Sequence, residues 1–205
     1  MTETYTHPPL DLRIRDELFF ERVVVLDGEL DDEGGTRLIS QLWVLARQDP
    51  RADIQLWVNS PGGSVPAMMA IADAMDAVPC RVLTLALGMA ASAGQFLLTA
   101  GEPGHRYALP HSRVLLHQGS AGFGGSAADI ELQAEDLRQL IDDVMRITAE
   151  RTGQPFERVF EDAKRDRWYT AEQAREYGFV DQVVSDFAQV GRDPQPAAAG
   201  AGSVR

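Results

Sequence analysis

A single cysteine in 205 residues excludes an internal disulfide and fits a reducing compartment. It is Cys80, directly ahead of the apolar run "RVLTLAL", where a buried structural thiol is the expected role. Positive charge is scarce too. Nineteen Lys and Arg stand against 31 Asp and Glu, a formal net charge of −12. A phosphate-binding surface needs a basic patch, so neither nucleic acid nor an anionic membrane is expected as a partner. No apolar run approaches the roughly 18 residues of a membrane span. The start, "MTETYTHPPLDLRIRDELFF", has no basic segment followed by an apolar block, so no secretory signal is expected. The four histidines (His7, His105, His111, His117) lack paired metal spacing, and "SPGGS" lacks the lysine of a nucleotide-binding phosphate loop. No metal and no cofactor are expected in this chain. What is present, 44% hydrophobic and 24% charged residues, suits one globular domain with a sizeable core.

Strand and helix signals alternate along the chain, which predicts an α/β class. Residues 1–12, polar with two prolines, read as an arm. Strands are predicted at Arg22–Leu26, in "DIQLWVN" and "CRVLTLAL", in two short pieces around Pro110, and in "FVDQVV". Helices are predicted in "GGTRLISQLWVLAR", "VPAMMAIADAMDAV", "PFERVFEDA" and "AEQAREYG". The longest helix is predicted over residues 126–152. Ile130, Ala134, Leu137, Ile141, Val144 and Thr148 step by four and three, Ser126 and Asp129 resemble a capping box, and Gly153 supplies the stop. "GSAGFGG" is too rich in glycine for a core strand, and the tail "DPQPAAAGAGSVR" reads as disordered. No internal repeat is found.

Chemistry, if present, rests on hydroxyl, imidazole and carboxylate groups. Ser92 sits in "AASAG", where small neighbours let a strand turn sharply into a helix and leave a hydroxyl at the bend. The same hydroxyl could simply cap a buried helix. His117 ends "RVLLHQ", where a strand end can hold an imidazole at a cleft; a structural histidine would fit there equally. Asp166 stands among Lys164, Arg165 and Arg167, as an orienting carboxylate or as a solvated surface charge.

Four motifs taken in order resemble one family, the proteolytic subunit of the Clp protease (ClpP), over residues 18–186. "WVNSPGGSV" is similar to its "INSPGG" loop and "GMAASAGQFLLTAG" to its nucleophile segment. "SRVLLHQ" is similar to "SRVMIHQP", and "RDRWYTAEQAREYGFVD" to "RDRFLSAPEAVEYGLVD". The resemblance implies a serine endopeptidase with Ser92 as nucleophile, His117 as general base and acid, and Asp166 orienting it. The N–H groups of Gly63 and Ala93 would form the oxyanion hole. It further implies a crotonase-like fold of repeated ββα units with a projecting handle helix. On that plan residues 1–17 are an axial arm, 18–190 the peptidase domain with its handle at 126–152, and 191–205 a tail.

Implied partners are identical or paralogous subunits in heptameric rings stacked as a tetradecamer, an AAA+ unfoldase that uses the ATP, and unfolded polypeptide substrates, all in the cytoplasm. Departures from the pattern fall at Gly119 for the usual proline, Ala93 for methionine and Lys164 for an acid, and the arm is short. A non-catalytic ring subunit and an acyl-CoA enzyme on the related fold are the competing expectations.

Overall fold

The computed structural model describes residues 10–119 and 125–192. Among the described residues seven strands form one sheet with helices between them, the mixed α/β architecture expected from the alternating pattern. Strands β1 (Val23–Asp27), β2 (Ile54–Ser60) and β3 (Val82–Ala91) run parallel side by side. The first half of β3 pairs β4 (Arg106–Ala108) and its second half pairs β5 (Arg113–Leu116), both in parallel. β6 (Arg167–Thr170) runs antiparallel to β5, and β7 (Gln182–Val183) closes the far edge on β4.

This forking of β3 sets up the site. Val82 to Ala86 pair with β2 in register, but Ser60 then pairs Ala90, so β3 carries extra residues at the fork. Asn59 fills the irregularity: its side-chain oxygen accepts from the Met89 N–H at 3.2 Å. A bulge of this kind bends a strand and re-aims the residues beyond it.

The helices are α1 (Leu10–Phe20), α2 (Asp32–Gln48), α3 (Val65–Ala77), α4 (Ala93–Thr99), α5 (Ala127–Thr152), α6 (Phe156–Ala163) and α7 (Ala171–Tyr177). Their ends obey local chemistry. Asp31 caps α2 by accepting from the Gly34 N–H, Ser64 caps α3, and Ser126 with Asp129 forms a reciprocal capping box on α5. Gly153, at φ 71°, ends α5 in the left-handed conformation that costs glycine nothing.

Period-two alternation sorts the strands between two layers. Ile54, Leu56 and Val58 of β2, with Val82 and Ala86 of β3, enter the main core under α2, α3 and α4. Leu83 and Leu85 face the other way and pack with Tyr107 and Val184. That second layer is thin. The segment after β7 covers it, with Phe187 against Trp57 at 5.2 Å between ring centroids and the Gly191 N–H donating to the Tyr107 hydroxyl.

Two expectations are corrected, and one strand appears for which the sequence carries no expectation. Residues 10–12 begin α1 instead of extending an arm; residues 1–9 lie outside those described, as do 120–124 of the glycine-rich stretch and 193–205 of the tail. "RWYT" forms β6, a strand that exists because β5 offers it an edge. Last, "FVDQVV" shortens to Gln182–Val183 because Phe179 and Val180 are drawn into the core ahead of the strand. The long helix matches its expected bounds, yet its two halves differ. Met145, Thr148 and Ala149 are buried, while Ile130 and Leu132 are exposed.

Candidate active site

Ser92 lies where β3 turns into α4. Its backbone, φ 55° and ψ −116°, occupies a region that side-chain-bearing residues avoid at a cost of order 1–3 kcal/mol. Besides Ser92, only Arg22 among the described non-glycine residues has positive φ, and Arg22 is held by side-chain donations to four carbonyls, one in the last turn of α2 and three in the connection to β2. The Ser92 strain is held by packing instead. Ala90, Ala91 and Ala93 are almost wholly buried around it, and its N–H donates to the Leu115 carbonyl of β5 at 3.2 Å. The hydroxyl makes no capping bond to α4. The helix-cap alternative left open by the sequence is therefore not what this side chain does.

His117 comes just after β5, and Asp166 just before β6. The antiparallel register pairs Leu116 with Arg167, so the next residues outward, His117 and Asp166, fall opposite each other. His117 Nδ1 is 3.2 Å from Asp166 Oδ1. Accepting through that oxygen places the proton on Nδ1 and leaves Nε2 as the free lone pair. His117 Nε2 is buried and has no hydrogen-bond partner among the described residues. No hydrogen bond joins it to Ser92 in this structure, but both residues line one cavity, walled by Val65, Met68, Phe96 and Ile141. The Asp166 carboxylate is 68% exposed, so solvent screens its charge.

The nearby alternative carboxylate, Asp162, is otherwise engaged. It pairs with Arg167 and accepts from the Tyr177 hydroxyl at 3.1 Å. Burial, together with neighbouring Tyr169 and Asp162, pushes the Tyr177 hydroxyl well above its ordinary pKa, so it remains a donor. Lys164 turns to Glu161, away from any role at Asp166.

Gly63 forms a parallel bridge with Leu30. The Leu30 N–H donates to the Gly62 carbonyl at 2.8 Å, and the Ser64 N–H donates to the Leu30 carbonyl at 2.7 Å. In a parallel bridge the central residue's own N–H and C=O point the opposite way, so those of Gly63 face the other edge. At φ +144° a side chain would be strained, and a Cβ would lie 2.1 Å from the Leu30 oxygen. The Ala93 N–H belongs to the first turn of α4, which has no intrahelical acceptor.

The part that Gly62 plays beside Ser92 is one the sequence reading misses. A Cβ there would meet Ser92 Cβ at 2.7 Å, so the first glycine of the pair is the one that lets the bend at Ser92 pack. The doubled glycine of "SPGGS" is the available signal. Along the apolar seam of α5, Leu137, Ile141 and Val144 line the Ser92 cavity of their own chain, and Ile130 does not.

A sequence model described as Clp protease matches residues 10–187. The chain is 53% identical to ATP-dependent Clp protease proteolytic subunit 2 of Corynebacterium efficiens, across 84% of this chain and 86% of that one. It is 53% identical to proteolytic subunit 3 of Streptomyces coelicolor, across 88% and 83%. With proteolytic subunit 1 of Mycobacterium bovis it shares 51% identity, across 84% and 86%.

Proposed function

The chain belongs to the Clp protease family, and from that premise we propose that it is a serine endopeptidase subunit working through Ser92, His117 and Asp166. The observation that carries this reading is the buried, unpartnered Nε2 of His117, in the same cavity as Ser92 and on a ring whose other nitrogen is held by Asp166. A buried nitrogen without a partner is costly, and it is retained where a proton must be accepted.

Ser92 gives its Oγ proton to His117 Nε2 and attacks the peptide carbonyl carbon. Asp166 accepts from Nδ1–H and steadies the imidazolium. The N–H groups of Gly63 and Ala93 hold the tetrahedral oxyanion, aided by the N-terminal end of α4. His117 returns the proton to the departing amine, leaving an ester on Ser92, and water enters by the reverse sequence. The Ser92–His117 contact tightens once substrate is seated, as catalytic contacts that are long in unliganded enzymes commonly do. The free edge of Gly63 suits an extended substrate strand bound through its backbone, which favours broad specificity.

Relatives are named as numbered proteolytic subunits of ATP-dependent proteases. Their names support assembly of this chain with identical or paralogous subunits; stacked heptameric rings, fed with unfolded chains by an AAA+ unfoldase that spends the ATP, complete the proposal. A cytoplasmic setting suits such an assembly. The open Ser92–His117 contact favours one other reading, a ring subunit kept for structure. A fluorophosphonate probe decides. Labelling of the wild-type chain, lost in Ser92→Ala together with that chain's peptide turnover, is expected. Equal labelling of Ser92→Ala would overturn the assignment, and no labelling of either would favour the structural subunit.

A further inference from the structure

The cavity beside Ser92 is lined mainly by apolar side chains; besides Ser92 and His117 its polar side chains are Gln95 and Gln118, and Gln95 is the buried one. Gln95, in the first turn of α4, is 3% exposed. Its amide orientation is set by its neighbours. The Thr99 hydroxyl donates its one proton to the Gln95 main-chain carbonyl at 2.9 Å. The group that approaches the Thr99 oxygen at 3.1 Å must therefore be a donor, which identifies it as the Gln95 NH₂. The amide oxygen is left facing away from Thr99, with no hydrogen bond to any described residue. It is not sealed in either, since the buried unpartnered side-chain atoms among the described residues are His117 Nε2 and Tyr169 OH. It therefore keeps some access, and the cavity is the open space that Gln95 lines.

We infer that Gln95 is a specificity-determining residue: its amide oxygen is a hydrogen-bond acceptor in the wall of the pocket that takes the substrate side chain next to the scissile bond. The inference rests on the peptidase reading above and adds a substrate class to it. The favoured side chain has an apolar body, to cover Met68, Phe96 and Met145, and a donor at its tip. Tyrosine is then favoured over phenylalanine and glutamine over methionine, each pair matched in shape and differing in the donor. Broad backbone recognition elsewhere leaves this contact as a local bias. A single hydrogen bond of ordinary strength gives about 3- to 10-fold per pair.

The test uses the full chain, alone and with a paralogous subunit, and four fluorogenic peptides identical except for Tyr, Phe, Gln or Met before the cleaved bond. The readout is the ratio of kcat/KM within each pair, which is independent of the fraction of active enzyme. Wild type is expected to give Tyr/Phe and Gln/Met ratios several-fold higher than Gln95→Met, which keeps the length and removes the acceptor. Gln95→Glu, which keeps an acceptor, should retain or raise the wild-type ratios. Ser92-dependent turnover with the same ratios in wild type and Gln95→Met overturns the inference and leaves the peptidase reading intact. Absence of Ser92-dependent turnover of all four peptides overturns both.

Discussion

The nucleophile half and the base half of this site are built differently. Ser92 sits at the fork of β3, between buried alanines, with Gly62 pressed against it and its backbone forced to positive φ. His117 and Asp166 sit at the adjoining ends of β5 and β6, where among the described residues β6 pairs with β5 alone and the Asp166 carboxylate is largely in solvent. The first half shares the stability of the core. The second depends on four residues of edge pairing and on the Asp162, Arg167 and Tyr177 contacts behind it. A serine that is fixed and an imidazole held at a less buried edge form a site whose alignment can shift without disturbing the fold.

The largest expected effect separates the halves by chemistry. Asp166→Asn should reduce peptide turnover by on the order of 10⁴-fold through the wrong imidazole tautomer, with an unchanged melting temperature. Turnover within about tenfold of wild type would mean that the exposed carboxylate does not orient His117. Gly63→Ala tests the rigid half. The new Cβ would collide with the Leu30 oxygen, so the bridge must shift and carry the Gly63 N–H with it. Turnover should fall by about 10²-fold, the typical loss of one oxyanion donor, and the melting temperature should fall as well. An unaffected melting temperature would show that this half is less constrained than its packing implies.

The smallest effect concerns the support behind the base. The Tyr177 hydroxyl titrates above its ordinary value of 10.0 in the folded chain, from burial first and then from Tyr169 and Asp162. A raised acid favours the protonated fold, so the stability it contributes is complete below its ordinary pKa of 10.0 and is lost as pH rises above that value and the unfolded chain ionises. Denaturant midpoints measured from about pH 8 upward should therefore decline more steeply for wild type than for Tyr177→Phe. At the start of that range the variant should be slightly less stable, having lost the 3.1 Å bond to Asp162. Parallel pH profiles for the two proteins would remove Tyr177 from the support of β6.

Much of this was legible along the chain because its causes are local. The bounds of α5 come from Ser126, Asp129 and Gly153, since a cap is a bond between residues three apart. The strand periods come from alternation, and the small residues around Ser92 announced a sharp bend. Ser92, His117 and Asp166 were placed as candidates by the order of four motifs, which their composition alone did not distinguish from a cap, a structural imidazole and a surface charge. Only the tertiary structure decided the rest. It paired β5 with β6, bringing together His117 and Asp166 from 49 residues apart, and it turned the Gly63 N–H outward through a bridge to Leu30. It also put Leu137 and Ile141 over the cavity, where periodicity could say only that one face of α5 is apolar. The physical reason is the reach of each interaction. Caps and periods are set by neighbours in sequence, whereas strand register, an unpartnered nitrogen and a free amide oxygen exist only after distant segments have packed.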